Sequence, residues 1–257
     1  MSFDLTGKNV LITGANRGIG LGLAEGFLDA GAEVAIAALE EDVFDVAKEL
    51  SDRYNRNVIG VVCDIADLEQ IGKLRDIFDR VDILINNAGL EFITPIEDPA
   101  KHVDEIFRRI IETNVIGTFS VTRHLLDQIP DGGRIINTSS MWGKTAIAEF
   151  SGYCASKHAV IGLTRSLAQE LAPRGISVNA VCPGWVRTVA SMRSLSQMAA
   201  RQERAEADLL DEIVAAQAIG DLMEPQDMVA MYLFLAGSAA DNITGQSFTV
   251  DRGELMQ

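Results

Sequence analysis

The sequence predicts a single doubly wound α/β domain, with a seven-stranded, mostly parallel sheet and helices on both faces. Three observations predict it. Short runs rich in Val and Ile recur that are apolar on both faces, as strands covered by helices on either side are. These runs alternate with helical stretches of ten to twenty residues, the pattern of repeated strand-helix-strand crossovers. The chain has 257 residues, 47% of them apolar, enough for one sizeable core.

Taken in order, NVLITG at 9–14 is the first strand and 19–30 its helix, joined by a glycine-rich turn. AEVAIAA at 32–38 and VIGVVC at 58–63 are the next strands, followed by helices over 41–53 and 67–79. VDILINN at 81–87 leads to a long helical stretch over 99–128, and GRIINTSS at 133–140 to a helix over 154–172. ISVNAVCP at 176–183, a helix over 226–236 and SFTVD at 247–251 complete the sheet. No repeat, low-complexity tract or Pro/Gly-rich linker divides residues 1–257, so one domain is expected. The segment 189–217 departs from the pattern: it is polar, mixed in charge and helix-favouring. It follows the sixth strand, at the carboxyl edge where such sheets bind ligands, and reads either as a substrate lid or as a plain pair of surface helices.

A net charge of −15 gives no electrostatic footprint for a phosphate backbone, which argues against nucleic acid as a partner. The start MSFDLTGK lacks a basic stretch followed by an apolar one, and no apolar run approaches the roughly 18 residues of a membrane span. A cytoplasmic protein without a membrane partner is expected. Cys63, Cys154 and Cys182 are widely spaced and fit neither a disulfide framework nor a metal site, so no metal is expected.

Two stretches carry chemistry. TGANRGIG at 13–20 follows a strand and opens a helix, the context in which glycines let a diphosphate approach the free amides of a helix N-terminus. Its spacing is GxxxGxG rather than GxGxxG, so a structural turn remains the plain alternative. In YCASK, Tyr153 and Lys157 stand four apart on one helix face, where the ammonium would favour the phenolate and make Tyr153 a general acid/base.

Together with Asp64, NNAG at 86–89, Asn114 in TNVIG, Ser140 and PGWVRT at 183–188, these stretches stand in the order and spacing of the short-chain dehydrogenase/reductase family. The chain resembles that family's shorter type, of about 250 residues, over essentially its whole length. The resemblance implies a Rossmann-type fold and an NAD(P)-dependent oxidoreductase that interconverts a secondary alcohol and a ketone. It implies that Tyr153 exchanges a proton with the substrate oxygen, that Lys157 lowers its pKa and holds the nicotinamide ribose, and that Ser140 polarises the carbonyl. Asn114 would kink its helix and hold a water that links Lys157 to solvent. The cofactor would lie on Gly14, Asn16, Arg17, Gly18, Ile19 and Gly20, beside Leu39, Cys63, Asp64 and Ile65. It would pass over Asn87, Ala88 and Gly89 to Tyr153, Lys157, Pro183, Gly184, Val186 and Thr188. Asn86 would tie neighbouring strands.

A dinucleotide site for NAD usually ends its second strand with an acid, which here is Ala38. Arg17 matches a position that contacts the 2′-phosphate in NADP-dependent members, Leu39 fails to supply the second cation, and Glu40 and Glu41 oppose a phosphate. The balance leans to NADP(H) over NAD(H). The resemblance places Glu91, Trp142, Phe150, Trp185 and Met192 at the substrate, an apolar or ring-bearing small molecule, and implies a homotetramer. Two alternatives stay open: a 3-oxoacyl thioester reductase of fatty-acid type, against which the net charge counts, and a catalytically silent dinucleotide sensor.

Overall fold

The computed structural model describes residues 3–256. Among the described residues, seven strands form one sheet: β1 (Asn9–Thr13), β2 (Glu33–Ala38), β3 (Ile59–Val62), β4 (Ile83–Asn86), β5 (Arg134–Thr138), β6 (Ser177–Pro183) and β7 (Ser247–Val250). Their order across the sheet is β3-β2-β1-β4-β5-β6-β7. Every neighbouring pair is parallel, so the sheet is wholly rather than mostly parallel.

The helices are α1 (Gly18–Asp29), α2 (Val43–Tyr54), α3 (Leu68–Gly72), α4 (Lys101–Ile111), α5 (Thr118–Leu125), α6 (Ser151–Leu171), α7 (Val189–Arg201), α8 (Glu206–Ala215) and α9 (Val229–Ala236). They cover two apolar layers. One is built around Val10, Ile12, Phe27, Ile36 and Tyr232, the other around Leu11, Leu84, Val121, Ile135 and Val178. Alternate residues of β1 face opposite layers, so both faces of that strand are apolar for a packing reason.

Two expected helices differ from their sequence reading. The stretch 67–79 yields only the short α3 and a 3-10 turn over Lys73–Asp76, with Asp67 capping α3 by accepting from the amides of Glu69 and Gln70. The stretch 99–128 is broken between α4 and α5 by a π-helical turn, Glu112–Gly117. That wide turn carries Asn114, whose amide is drawn out of the helix by contacts with Leu90 and Ser156.

The segment after β6 forms α7 and α8. Thr188 starts α7 with a capping box: its hydroxyl accepts from Ser191 N, and the Ser191 hydroxyl accepts from Thr188 N. Leu195, Met198 and Leu209 pack with Trp142, Phe150 and Trp185 in a third apolar cluster, which fastens this helix pair to the carboxyl edge of the sheet. Arg252 pins the C-terminal turn by donating to Gly220 O at 2.7 Å.

Candidate active site

The chain adds β2 and β3 on one side of β1 and then crosses from β3 back past β1 to place β4 on its other side, so the carboxyl ends of β1 and β4 open a crevice at the point where the strand order reverses. A cleft of about 320 Å³ lies there, lined from the ends of all strands β1 to β6. Among the described residues, no group of His, Cys, Asp and Glu has the arrangement of a metal site.

The β1 end of the cleft suits a diphosphate. Arg17 occupies the N-cap of α1 without a side-chain cap, so the first amides of that helix keep their donors free. Gly18 has φ +56°, a conformation that favours glycine and turns the chain into the helix beside Thr188. The facing loop is fixed by Thr13, whose hydroxyl accepts from the amides of Asn87 and Ala88, and by Asn87, whose side chain donates to Gly14 O at 2.9 Å. Asn86 ties β4 to β5 by donating to Asn137 Oδ1 at 2.9 Å.

Gly14, Asn16 to Ile19, Leu39, Cys63 to Ile65, Asn87 to Gly89, Ser140, Tyr153, Lys157, Pro183, Gly184, Val186 and Thr188 all line this cleft. Gly20 does not; it is buried behind the turn. Asp64 is already engaged, accepting from Ala66 N at 2.9 Å and pairing with Arg109 of α4 at 2.5 Å. Arg17 pairs with Glu40 Oε1 at 2.6 Å, with both side chains about half exposed. Sequence reasoning missed Arg109 as a lining residue, because its partner lies 45 positions away. It also sought an acid at Ala38, whereas the structure brings the carboxylate of Glu40, two residues later, to the cleft.

The chemistry-bearing end gathers around α6. Lys157 is buried, its Nζ donating to Thr138 O at 2.8 Å and lying 5.5 Å from the centroid of the Tyr153 ring. Ser140, beyond the end of β5, accepts from Trp142 N at 3.1 Å. Asn114 sits behind the cleft rather than in it: Oδ1 accepts from Leu90 N at 2.7 Å, and Nδ2 donates to Leu90 O and Ser156 Oγ at 2.9 Å. A Cβ at Gly89 would stand 3.2 Å from Asn114 Oδ1 and 3.3 Å from Lys157 Nζ, a tight fit, so glycine lets those two groups approach the loop closely.

The electrostatics correct one expectation. Burial, and then the Glu91 carboxylate, push the Tyr153 phenol above its ordinary value, with the Ser140 hydroxyl opposing them. Burial also brings Lys157 down to about 8. The protein around Tyr153 thus holds it as a phenol, a proton donor at neutral pH, rather than as the phenolate that Lys157 alone would favour.

The Lys157 shift makes a prediction about stability. Unfolded, this amine titrates near 10.5, and folded near 8, so between those values the unfolded chain binds the extra proton and stability rises with pH. Below pH 8 the buried charge costs the fold its full penalty. Lys157→Met is therefore expected to stabilise the ligand-free protein at pH 7 by about 1–3 kcal/mol, allowing for the lost hydrogen bond. In urea melts the gain should shrink as the pH is raised from 8 towards 10.5. A variant less stable than the parent at pH 7 would contradict it.

At the substrate end, Glu91, Trp142 and Trp185 line the cleft, and the two indoles pack edge-on at 5.6 Å. Phe150 does not belong to that wall: it is fully buried behind Trp142, ring centroids 5.1 Å apart. Met192 packs into the third apolar cluster instead of facing the cleft. An aromatic or methionine in this region has the same sequence appearance whether it faces ligand or core.

A family described as Enoyl-(Acyl carrier protein) reductase matches residues 14–254. The chain is similar to the Granaticin polyketide synthase putative ketoacyl reductase 1 of Streptomyces violaceoruber, 35% identical over 95% of this chain and 91% of that one. It is 33% identical to the D-beta-hydroxybutyrate dehydrogenase of Cupriavidus necator, over 98% of this chain and 100% of the relative. Among solved structures it resembles a point variant of the actinorhodin polyketide ketoreductase with NADPH, with a TM-score of 0.88, 33% identity, and 96% and 97% of the two chains covered.

Proposed function

The chain belongs to the short-chain dehydrogenase/reductase family, and from that premise we propose which of its residues carry the reaction. It is an NAD(P)-dependent oxidoreductase that interconverts secondary alcohols and ketones. The observation that carries our residue assignment is the meeting of Tyr153, Lys157 and Ser140 in the same cleft as the uncapped N-terminus of α1.

The α1 amides would hold the diphosphate, and Gly89 with the Pro183–Thr188 segment would hold the nicotinamide end. When bound, the nicotinamide supplies or accepts the hydride. Ser140 donates to the substrate oxygen and orients it towards Tyr153, whose phenol gives that oxygen its proton in reduction and takes it back in oxidation. Lys157 would hold the nicotinamide ribose, and it assists Tyr153 while it carries its charge. Asn114 is a positioning residue: its clamp on Leu90 fixes the rim on which Gly89 and Glu91 stand. The relay water expected at Asn114 belongs to the same reading. The α7–α8 pair acts as the substrate lid, and the chain works as a homo-oligomer whose contacts include the exposed Phe107, Ile116 and Phe119 of the α4–α5 region.

NADP(H) is the preferred dinucleotide in this reading. A 2′-phosphate carries more negative charge than Glu40, and an exposed ion pair such as Arg17–Glu40 is worth only about 0–1 kcal/mol, so Arg17 can exchange one anion for the other. Glu40 remains a neighbour of that phosphate and keeps the preference small. Glu40→Gln should accordingly raise the ratio of kcat/KM for NADPH over NADH by roughly tenfold, and Arg17→Ala should lower it by a similar factor. Equal effects of either substitution on both dinucleotides would show that the pair does not read the 2′ position.

A 3-oxoacyl thioester on a carrier protein is the second reading, favoured by the ketoacyl reductases among the relatives. The net charge of −15 opposes docking of an acidic carrier. Alcohols, free ketones and a 3-oxoacyl thioester, each followed by nicotinamide absorbance with both dinucleotides, test the choice. Turnover confined to the thioester would overturn the free-ketone reading.

A further inference from the structure

Tyr153 stands in the part of its helix most prone to fray. It is the third residue of α6, within the first turn, where backbone N–H groups have no partner inside the helix. Lys157, a turn further on, is buried and tied to Thr138 O, so its place does not depend on that end. The helix does not cap itself: its N-cap is Phe150, a fully buried aromatic ring that makes no capping hydrogen bond.

The cap comes instead from the loop after β4. Thr94 is buried, and its hydroxyl accepts from Gly152 N at 3.0 Å. The Ser151 hydroxyl donates to Thr94 O at 3.2 Å, which leaves the Thr94 hydroxyl to donate to Ser151 Oγ at 3.0 Å. Thr94 N in turn donates to Glu149 O at 2.6 Å. One residue of the loop thus holds the chain on both sides of Phe150. The seat is rigid. Pro95 confines the Thr94 backbone to extended forms, and a Cβ at Gly152 would stand 3.0 Å from Phe107 Cδ2 and 3.4 Å from Thr94 Cγ2, so the first turn of α6 is wedged between α4 and the loop. Glu149, with φ +68°, is held from the other side by Arg201 of α7, whose Nε donates to its carboxylate at 2.7 Å.

We infer that Thr94 is a positioning residue for the reaction: it supplies from a distance the cap that α6 lacks, and so aims the Tyr153 phenol at the substrate oxygen beside Ser140. The inference rests on the reading of Tyr153 as the proton donor. Asn114 clamps the near end of the same loop at Leu90, and Thr94 ties its far end to α6. The rim of the cleft is therefore also the strut that sets the proton donor. A small displacement of an acid from its partner slows the proton transfer sharply while leaving the binding contacts made elsewhere in place.

The test compares Thr94→Val, which keeps the branched shape and removes the hydroxyl, with Thr94→Ser, which keeps the hydroxyl and removes the methyl. Both are assayed in reduction of the ketone that the parent turns over fastest, with enzyme concentration taken from titration of dinucleotide sites, so that unfolded protein does not count as lost rate. Thr94→Val should lower kcat by about 10- to 100-fold, with KM and the dinucleotide Kd within about threefold of the parent. Thr94→Ser should stay within about threefold in all three. Hydrogen exchange read by mass spectrometry should show the amides of 151–154 opening about fivefold more often in Thr94→Val, the loss of one cap, and those beyond 157 unchanged. Ser151→Ala, which removes only the partner hydroxyl, should move kcat and exchange in the same direction by a smaller factor, and it decides the matter if Thr94→Val does not fold. An unmoved kcat in the deciding variant, equal losses in Thr94→Val and Thr94→Ser, or a loss carried by KM and Kd instead of kcat overturns the positioning role and leaves Tyr153 as the proton donor. Undiminished kcat in Tyr153→Phe overturns the proton-donor reading, and the positioning role with it.

Discussion

Tyr153→Phe should lower kcat for ketone reduction by between about 10² and 10⁴, the range of a lost general acid, or roughly 3–5 kcal/mol of barrier. The substitution removes one oxygen and keeps the ring that packs edge-on against Trp142 at 6.0 Å, so the cleft wall survives. Dinucleotide affinity, read by fluorescence titration, is expected to stay within about threefold of the parent, because the diphosphate cradle on α1 is untouched. This separation of turnover from binding distinguishes a proton donor from a structural tyrosine. Equal losses in both would mean that the phenol holds the site together instead of acting in it. The pH profile adds a sign: since burial and Glu91 keep the phenol protonated, reduction should be supported at neutral pH and oxidation should gain as the pH rises.

Gly20→Ala should be as damaging for a different reason. A Cβ there would stand 2.1 Å from Gly14 O, 2.6 Å from Asn87 Nδ2 and 2.7 Å from Ala15 Cα. Two of those atoms are backbone and the third is the side chain that ties β4 to the turn, so nothing flexible can give way. The expected cost is about 3 kcal/mol, which for a chain of this size lowers Tm by roughly 6–12 °C. Dinucleotide binding should fail with it, because the displaced turn carries the α1 amides away from the phosphate position. A variant that melts with the parent and binds NADPH normally would show that the turn relaxes freely. Gly20 therefore matters by closing the turn, although it does not line the cleft.

Much of the fold was legible because the inner strands β1, β2, β4, β5 and β6 are buried on both faces, which writes an apolar run that no surface loop shares. The break at Glu112–Gly117 was legible only through Asn114: it depends on Leu90 and Ser156, and no local periodicity records contacts 24 and 42 positions away. The convergence of Tyr153, Lys157 and Ser140 followed from helix spacing and family motifs, but their protonation did not. That depends first on the burial of the phenol and then on Glu91, whose carboxyl is brought near it by the rim after β4. Arg17 shows the same division. Its cation was visible in the turn, while its partner Glu40 comes from the far end of β2. Phe150 was read as a wall because an aromatic residue near Tyr153 gives no sign of whether Trp142 stands in front of it.

The central claim is that this cleft carries a ketone to an alcohol with Tyr153 as proton donor. Reduction by a dinucleotide deuterated at nicotinamide C4, with the product examined by mass spectrometry, tests it most directly. One deuterium should appear at the carbinol carbon with the parent protein, and Tyr153→Phe should form that labelled alcohol at least about a hundredfold more slowly. No labelled alcohol from any ketone offered, or undiminished label transfer by Tyr153→Phe, would contradict it.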